Sequence, residues 1–93
     1  MASRWTVELT GSARREFKLL APPEKESASE LILELAEDPF PFDAVPLRGY
    51  HNLYRVRFHQ GRLRLIYYLS EKQRKIIVAR LRPRGTAYIG FRN

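Results

Sequence analysis

The 93-residue sequence contains no cysteine, and this absence excludes disulfide bonds and thiolate metal sites. Its two histidines cannot by themselves complete the four-ligand shell of a structural zinc ion. We therefore expect a fold held by a single hydrophobic core and a function that uses no metal ion or other cofactor.

Long apolar runs are also missing. Runs such as LRLIYYL are interrupted and fall far short of the roughly 20 residues of a membrane-spanning helix. The first residues lack the apolar core of a secretory signal peptide. We expect a soluble cytoplasmic protein, and the length predicts that residues 1–93 form one small domain.

Acidic residues are scarce in the second half of the chain. Residues 1–47 hold five Lys or Arg against nine Asp or Glu, a net charge of −4, whereas residues 48–93 hold twelve against one, a net charge of +11. A strongly basic surface favours an anionic partner such as nucleic acid. We therefore expect the functional surface to lie in the second half of the chain.

Residues 53–88 contain three runs in which apolar and polar residues alternate, as they do in half-buried β-strands. Paired as a meander, these runs would form a sheet with one apolar face and one basic face. We call the basic surface the arginine face, and its predicted members are Arg55, Arg57, Arg62, Arg64, Arg80 and Arg82. Strict alternation in the third run also puts Ile76 and Val78 on this face, opposite Leu81.

The first half predicts one strand and two helices. Residues 4–9 (RWTVEL) have the β-branched and aromatic character of a strand. Residues 10–12 (TGS) supply turn and N-cap chemistry before a short helix that Pro22 and Pro23 end. A second helix begins near Pro23, and its apolar stripe consists of Ala28, Leu31, Ile32, Leu35 and Ala36.

Residues 38–52 contain three prolines and one glycine, and they are predicted to be an ordered connection without regular structure. The elements then follow one another in the order β-α-α-β-β-β. We predict an α+β fold in which two helices pack on a mostly antiparallel, four-stranded sheet.

The order of these elements and several motifs resemble the RelE/ParE toxin superfamily of bacterial and archaeal toxin–antitoxin modules. The most specific motif is L-x-G-x-x-x-x-Y-R-V-R at residues 47–57, followed by R-L-I-Y at residues 64–67. The resemblance covers residues 5–88, nearly the whole chain. It implies a RelE-like fold.

The resemblance also implies a function. RelE-like toxins cleave mRNA in the ribosomal A site, and a tightly bound antitoxin holds them inactive. We therefore expect the ribosome, mRNA and a RelB-like antitoxin with an acidic or amphipathic segment as partners. This sequence departs from relatives with a His-Arg pair before the final tyrosine, because Pro83 stands at the histidine position.

The site residues are transferred position by position from the resemblance and completed from the arginine face. The resemblance places the family's catalytic group on Arg55, Arg57, Arg64, Arg82 and Tyr88, with Arg84 on an additional basic position, and of these we assign catalysis to Arg57, Arg64, Arg82 and Tyr88. We assign RNA binding to the remaining basic positions, Arg55, Arg62, Arg80 and Arg84.

Metal-free RNA cleavage suits these residue types. The 2′-OH attacks the adjacent phosphate, and guanidinium groups stabilise the phosphorane that forms. Arginine is a poor proton carrier, and Glu71 is predicted to lie in a distant turn. Tyr88 is left to stack on a base, to orient the 2′-OH or to accept its proton, and we favour stacking and orientation.

Other interpretations stay open. A ParE-like chain with the same fold would inhibit DNA gyrase by binding it, and a RelE-fold nucleic-acid binder would have no activity. An arginine on an exposed strand also commonly serves solubility or guards a sheet edge. His59 is predicted to be solvent-exposed, His51 is given no chemical role, and the outward-facing Tyr68 either stacks on a base or has no role.

Overall fold

The computed structural model describes residues 4–41 and 43–83. Helices and strands follow in the order β1 (Thr6–Leu9), α1 (Gly11–Leu19), α2 (Pro22–Glu37), β2 (Val45–Pro46), β3 (Leu53–Phe58), β4 (Leu63–Ser70) and β5 (Lys75–Pro83). Both helices contribute to a core against one face of the sheet, which confirms the predicted α+β architecture. Within these residues, no helix is long and apolar enough to cross a membrane.

The strands form one mixed sheet in the order β1-β5-β4-β3-β2. β1 runs parallel to β5, and all other neighbours are antiparallel. The sheet has five strands where four were predicted, because Val45 and Pro46 pair with Arg55 and Tyr54. This strand lies inside the segment predicted as a connection, and it is only two residues long at the edge of the sheet, where a proline is tolerated.

Side chains satisfy backbone amides at the start of both helices. Thr10 is the N-cap of α1, and its Oγ1 accepts a hydrogen bond from the Ala13 N–H at 3.1 Å. In α2, the Glu24 carboxylate accepts a hydrogen bond from the Ala21 N–H at 2.8 Å. Two prolines occupy the first turn of α2, where a backbone N–H has no partner within the helix.

The hydrophobic core lies between the two helices and one face of the sheet. The predicted stripe of α2 is buried at Ala28, Leu31 and Leu35. The sheet contributes Val56, Phe58, Leu63, Leu65, Tyr67, Leu69, Ile76, Val78 and Leu81. Burial at every second residue of β4 on this face confirms the predicted alternation there.

A smaller apolar cluster lies on the opposite face of the sheet. Leu47, Leu53 and Ile66 are buried in it, and Tyr50 packs against them. Ile66 pairs directly with Arg55 across the β3–β4 ladder. The arginine face is therefore a mixed surface on which basic side chains adjoin apolar ones.

A β-bulge in β5 shifts the alternation at Ala79. Two adjacent residues of β4 pair with Arg80 and Val78, so Ala79 is the extra residue between them. Val78 and Ile76 consequently lie in the core, whereas Arg80 lies on the arginine face. The prediction that Ile76 and Val78 face the same side as the arginines was wrong, because strict alternation takes no account of an inserted residue.

The start of α1 covers the side of β5 that β1 leaves open. The Thr10 N–H donates to the Val78 carbonyl at 3.0 Å, and Thr10 Oγ1 donates to the Ala79 carbonyl at 3.3 Å. Further along, the Glu16 carboxylate accepts a hydrogen bond from the Leu81 N–H. These contacts satisfy backbone groups of β5 at and beyond the bulge.

Replacement of Thr10 by alanine is expected to lower the free energy of unfolding by about 1–2 kcal/mol, because α1 loses its N-cap and the Ala79 carbonyl loses a donor. Ser12→Ala is the matched control, since the hydrogen bond that the Ser12 hydroxyl makes within the described residues comes from the exposed Arg15 side chain. It should change stability by less than about 0.5 kcal/mol. Urea unfolding measures both, and equal losses would contradict the assignment of Thr10 as the N-cap.

Candidate functional site

Three arginines lie side by side across the three central strands. Arg57 of β3 pairs with Arg64 of β4, which pairs in turn with Arg82 of β5. Neighbouring strands lie about 4.8 Å apart, so the backbone positions of this arginine row span roughly 10 Å. Like charges directly opposite one another destabilise a sheet. The arginine row therefore lowers the stability of the sheet, which makes it a candidate for function.

A second set of basic residues lies one step along the same face. Arg55 and Arg80 flank Ile66, with which both are paired in the strand ladders. The described residues thus bring together five of the predicted site residues on one face: Arg55, Arg57, Arg64, Arg80 and Arg82. The bulge at Ala79 is what adds the two arginines of β5 to this set.

The members of the arginine row differ in their surroundings. Arg57 is exposed and Arg82 is half-buried, whereas only 6% of the surface of Arg64 is exposed to solvent. Nη1 of Arg64 donates to the Gly61 carbonyl at 2.8 Å and lies 3.4 Å from the Leu63 carbonyl, so the β3–β4 turn holds this guanidinium in place. A fixed and largely desolvated cation exerts a stronger field than one free in water.

Arg55 carries an unsatisfied donor. Its Nη1 is buried and has no hydrogen-bond partner within residues 4–41 and 43–83. An unpaired buried donor costs about 1–3 kcal/mol, and more when it is charged. The Arg55 guanidinium would therefore gain from an additional acceptor, above all an anionic one.

One carboxylate reaches the arginine face from α1. Oε2 of Glu16 lies 3.1 Å from Arg80 Nη1 and 3.4 Å from Arg82 Nε, and Oε1 accepts a hydrogen bond from the Leu81 N–H at 2.9 Å. Glu16 was not among the site residues predicted from the sequence. Its position just before the core residue Phe17 becomes informative only once β1 is known to pair with β5, because that pairing brings α1 to the end of β5.

The remaining predicted site residues lie elsewhere. Arg62 is exposed in the turn between β3 and β4 and does not take part in the strand pairing. Arg84 and Tyr88 lie outside the described residues, so their roles stay predictions. Tyr68 faces outward on the same side of β4 as Arg64 and is 40% exposed, which makes it available for stacking.

His59 differs from its prediction. Expected to be solvent-exposed, it is half-buried, and its Nδ1 lies 3.0 Å from the Ser27 hydroxyl. This contact ties the turn after β3 to α2. In the part of the chain that the structure describes, no three His, Asp or Glu side chains are grouped so that they could hold a metal ion.

No protein-family model matches the sequence, and a search of curated proteins found no match. Solved structures do match. In the archaeal RelE–RelB complex from Pyrococcus horikoshii, one chain is 26% identical and superposes with a TM-score of 0.73 over 90% of this chain and 99% of its own length. In the RelBE2 toxin–antitoxin complex from Mycobacterium tuberculosis, one chain is 25% identical and superposes with a TM-score of 0.75. The match covers 87% of this chain and 99% of that chain.

The chain has the RelE-like toxin fold. The fold expected from the motifs and the order of elements is thereby confirmed. A YoeB/ParE toxin from Agrobacterium tumefaciens matches with a TM-score of 0.74 at 19% identity, over 84% of this chain and 96% of that chain. The RelE-like fold alone therefore does not separate the kinds of toxin that share it, and the side chains of the arginine face must carry the functional argument.

On the core side of the RelE-like sheet, burial raises the pKa of Tyr67, and the neighbouring Tyr54 and Asp38 raise this pKa further. The Tyr67 hydroxyl donates to the Pro39 carbonyl, and its ring stacks on Tyr54 with the ring centroids 5.6 Å apart. The phenol of Tyr67 therefore stays protonated at physiological pH. It serves the core and does not act as a base.

The raised pKa of Tyr67 predicts a loss of stability in alkali. In the unfolded chain a tyrosine ionises near pH 10, whereas folded Tyr67 stays protonated. Unfolding then releases a proton, and the free energy of unfolding falls as the pH rises past about 10.

Tyr67→Phe should flatten this dependence, as measured by urea unfolding from about pH 8 to pH 11. Tyr68→Phe is the control, because Tyr68 is exposed; it should keep the wild-type slope. A Tyr67→Phe variant with the wild-type slope would show that Tyr67 is not the group responsible.

Proposed function

We propose that this RelE-like chain is the toxin of a toxin–antitoxin module and acts in the cytoplasm as an endoribonuclease that cleaves mRNA in the ribosomal A site. The observation that carries this proposal is the arginine row of Arg57, Arg64 and Arg82 on three adjacent strands. Its mutual repulsion is relieved when a phosphate supplies the opposite charge. The likeness to toxin chains of RelBE complexes supports the same conclusion.

In the proposed reaction, the 2′-OH of one nucleotide attacks the adjacent phosphorus and gives up its proton. The 5′-oxygen of the next nucleotide leaves and takes up a proton, so the products are a 2′,3′-cyclic phosphate and a 5′-hydroxyl. Negative charge accumulates on the phosphoryl oxygens at the phosphorane stage. We assign its stabilisation to Arg57, Arg64 and Arg82, because guanidinium groups bind such oxygens in pairs and stay charged at physiological pH.

The surrounding basic residues are assigned to the RNA on either side of the cleaved bond. These are Arg55, Arg62, Arg80 and Arg84. For Arg55 the assignment is supported by its place on the arginine face, where it lies on the same strand as Arg57 and pairs with Ile66. Contacts of this kind place the backbone without reading its sequence, and they make affinity fall with salt.

Proton transfer is the weakest part of this site. Glu16 does not serve as the base, because its two oxygens already accept from the Leu81 N–H and face the guanidinium groups of Arg80 and Arg82. We assign Tyr88 to stacking on a base and to orienting the 2′-OH. A site without a strong base depends on how its substrate is presented, and this accounts for a need for the ribosome.

Purified protein added to translating ribosomes should cleave mRNA at A-site codons, and primer extension should map the new 5′ ends. Arg57→Ala and Arg82→Ala are each expected to slow cleavage by about 10²–10³, since each removes a donor to the phosphorane. Tyr88→Phe should also slow it, through loss of the hydroxyl that orients the 2′-OH.

Lys72→Ala is the matched control for the loss of one positive charge, because Lys72 is exposed in the turn at the far end of the β4–β5 hairpin. It should cleave at the wild-type rate. Intact mRNA in the presence of the wild-type chain would contradict the ribonuclease. Arrest of gyrase supercoiling by the same preparation would then favour a ParE-like toxin, and RNA binding alone would favour a binder without activity.

The proposed partner is an antitoxin with an acidic or amphipathic segment. We assign its binding to two adjoining cavities, one between β1 and α1 and the other between α1 and α2. Their floor is apolar and includes Leu9, Phe17 and Ile32, with the exposed Leu33 beside it; the rim carries Arg14, Lys18 and one acidic residue, Glu8, which is paired with Lys75. An amphipathic acidic segment would bury its apolar side on the floor and pair its carboxylates with the rim.

Leu33→Asp is expected to weaken binding of the cognate antitoxin by about 10-fold or more, because Leu33 is 69% exposed and its apolar surface would be buried in the complex. Gln73→Asp introduces the same charge in the exposed β4–β5 turn and should bind normally. Titration calorimetry measures both affinities. Wild-type affinity in Leu33→Asp would place the antitoxin elsewhere on the chain.

A further inference from the structure

The contact of Glu16 with β5 occurs where the parallel pairing of β1 and β5 stops. Leu9 is the last paired residue of β1, opposite Val78. Further along β5, no described strand pairs with Leu81 on this side, and its N–H donates instead to Glu16 Oε1 at 2.9 Å. Glu16 therefore acts as a substitute strand partner at a fixed position along β5.

The second oxygen of Glu16 lies between two arginines of the arginine face. Oε2 is 3.1 Å from Arg80 Nη1 and 3.4 Å from Arg82 Nε. The exposed fractions of the three side chains are 16% for Glu16, 26% for Arg80 and 29% for Arg82. Water screens partly buried charges less than exposed ones. Glu16 therefore holds Arg80 by a charge-assisted hydrogen bond and Arg82 by an ion pair that water screens only in part.

Glu16 contacts Arg82 at Nε and leaves the two Nη nitrogens of this guanidinium for other acceptors. The ion pair with Glu16 engages Nε, and the described residues make no further polar contact with this guanidinium. The two Nη nitrogens form an edge that can bind two phosphate oxygens side by side. Glu16 thus restrains the direction of the Arg82 guanidinium without covering this edge.

We infer that Glu16 is a positioning residue that holds the Arg82 guanidinium in the direction needed at the scissile phosphate; the inference rests on the proposed ribonuclease function. Glu16 itself does not contact RNA in this assignment. Its negative charge lies beside two cations of the RNA surface and repels phosphate. The same carboxylate therefore improves the orientation of Arg82 and weakens the attraction of the surface for RNA.

These opposite effects give a signature that damage to the fold would not produce. Loss of the Glu16 charge should loosen Arg82 and slow cleavage. It should at the same time leave RNA affinity unchanged or raise it, because the basic surface gains one unit of net positive charge. A variant that merely disturbs the end of β5 would lose affinity and rate together.

The test uses Glu16→Gln, which retains an oxygen for the Leu81 N–H and removes the charge. Single-turnover cleavage on programmed ribosomes at saturating protein should slow by about 10- to 100-fold. The Kd for a short single-stranded RNA, measured by fluorescence anisotropy, should be equal to that of the wild type or lower. Glu26→Gln makes the same charge change at an exposed position of α2 and should cleave at the wild-type rate.

A double variant tests whether Glu16 acts through Arg82. In an Arg82→Ala background, Glu16→Gln should slow cleavage by less than about 2-fold more, because the group that it positions is gone. A full further loss in this background would overturn the inference. Wild-type cleavage by Glu16→Gln, or weaker RNA binding together with slower cleavage, would overturn it as well.

The contact can also be observed without activity. The ¹⁵N–¹H signal of Arg82 Nε, identified by its absence from Arg82→Ala, should shift in Glu16→Gln and stay in place in Glu26→Gln. If the wild-type chain cleaves mRNA but the Arg82 Nε signal does not shift in Glu16→Gln, the positioning role of Glu16 is overturned and the ribonuclease proposal stands. A wild-type chain that does not cleave overturns the ribonuclease proposal and, with it, this inference, whatever the signal does.

Discussion

The bulge at Ala79 is the feature on which both the core and the arginine face depend. Ile76 and Val78 lie in the core, so regular alternation would direct Arg80 and Arg82 to the same side. Buried guanidinium groups without partners cost several kcal/mol each. The inserted residue avoids this cost, and it also places Arg82 next to Arg64. Folding and the proposed chemistry therefore favour the same irregularity.

The repulsion that remains among the arginines of the arginine face is offset locally, and the means differ from one arginine to the next. Arg64 has a carbonyl acceptor in the turn at Gly61, and Arg82 shares the Glu16 carboxylate with Arg80. Arg57 is exposed and keeps its hydration. Arg64 and Arg82 are thus held in the folded chain by contacts that leave some of their N–H donors unused. These two guanidinium groups are in place before any anion arrives, which is what electrostatic catalysis requires.

Sequence patterns were sufficient where an element is regular and its neighbours do not alter it. The alternation in β3 and β4 predicted the outward direction of Arg57 and Arg64, and the stripe of α2 predicted its buried side. Prediction failed where the structure depends on residues far apart in the chain. The bulge exists only in the register of β5 against β4, and Glu16 lies 65 residues before its partner Leu81.

The short strand β2 has the same origin. It forms because β3 offers an open edge to a segment that has no strand pattern of its own. The arginines of the candidate site could thus be predicted from the sequence, and the carboxylate among them could not. A carboxylate in a helix looks like a solvated surface group until the helix is placed against the sheet.

The order of the strands has a consequence for folding during synthesis. β5 is the last described strand along the chain, yet it lies inside the sheet between β1 and β4. During synthesis, β1 and α1 must wait until β5 has left the exit tunnel before they can pack against it, and such distant pairing is slow to form. The arginine row cannot assemble before that moment. The surface proposed to attack ribosome-bound mRNA therefore does not exist until all the described strands have left the ribosome that makes them.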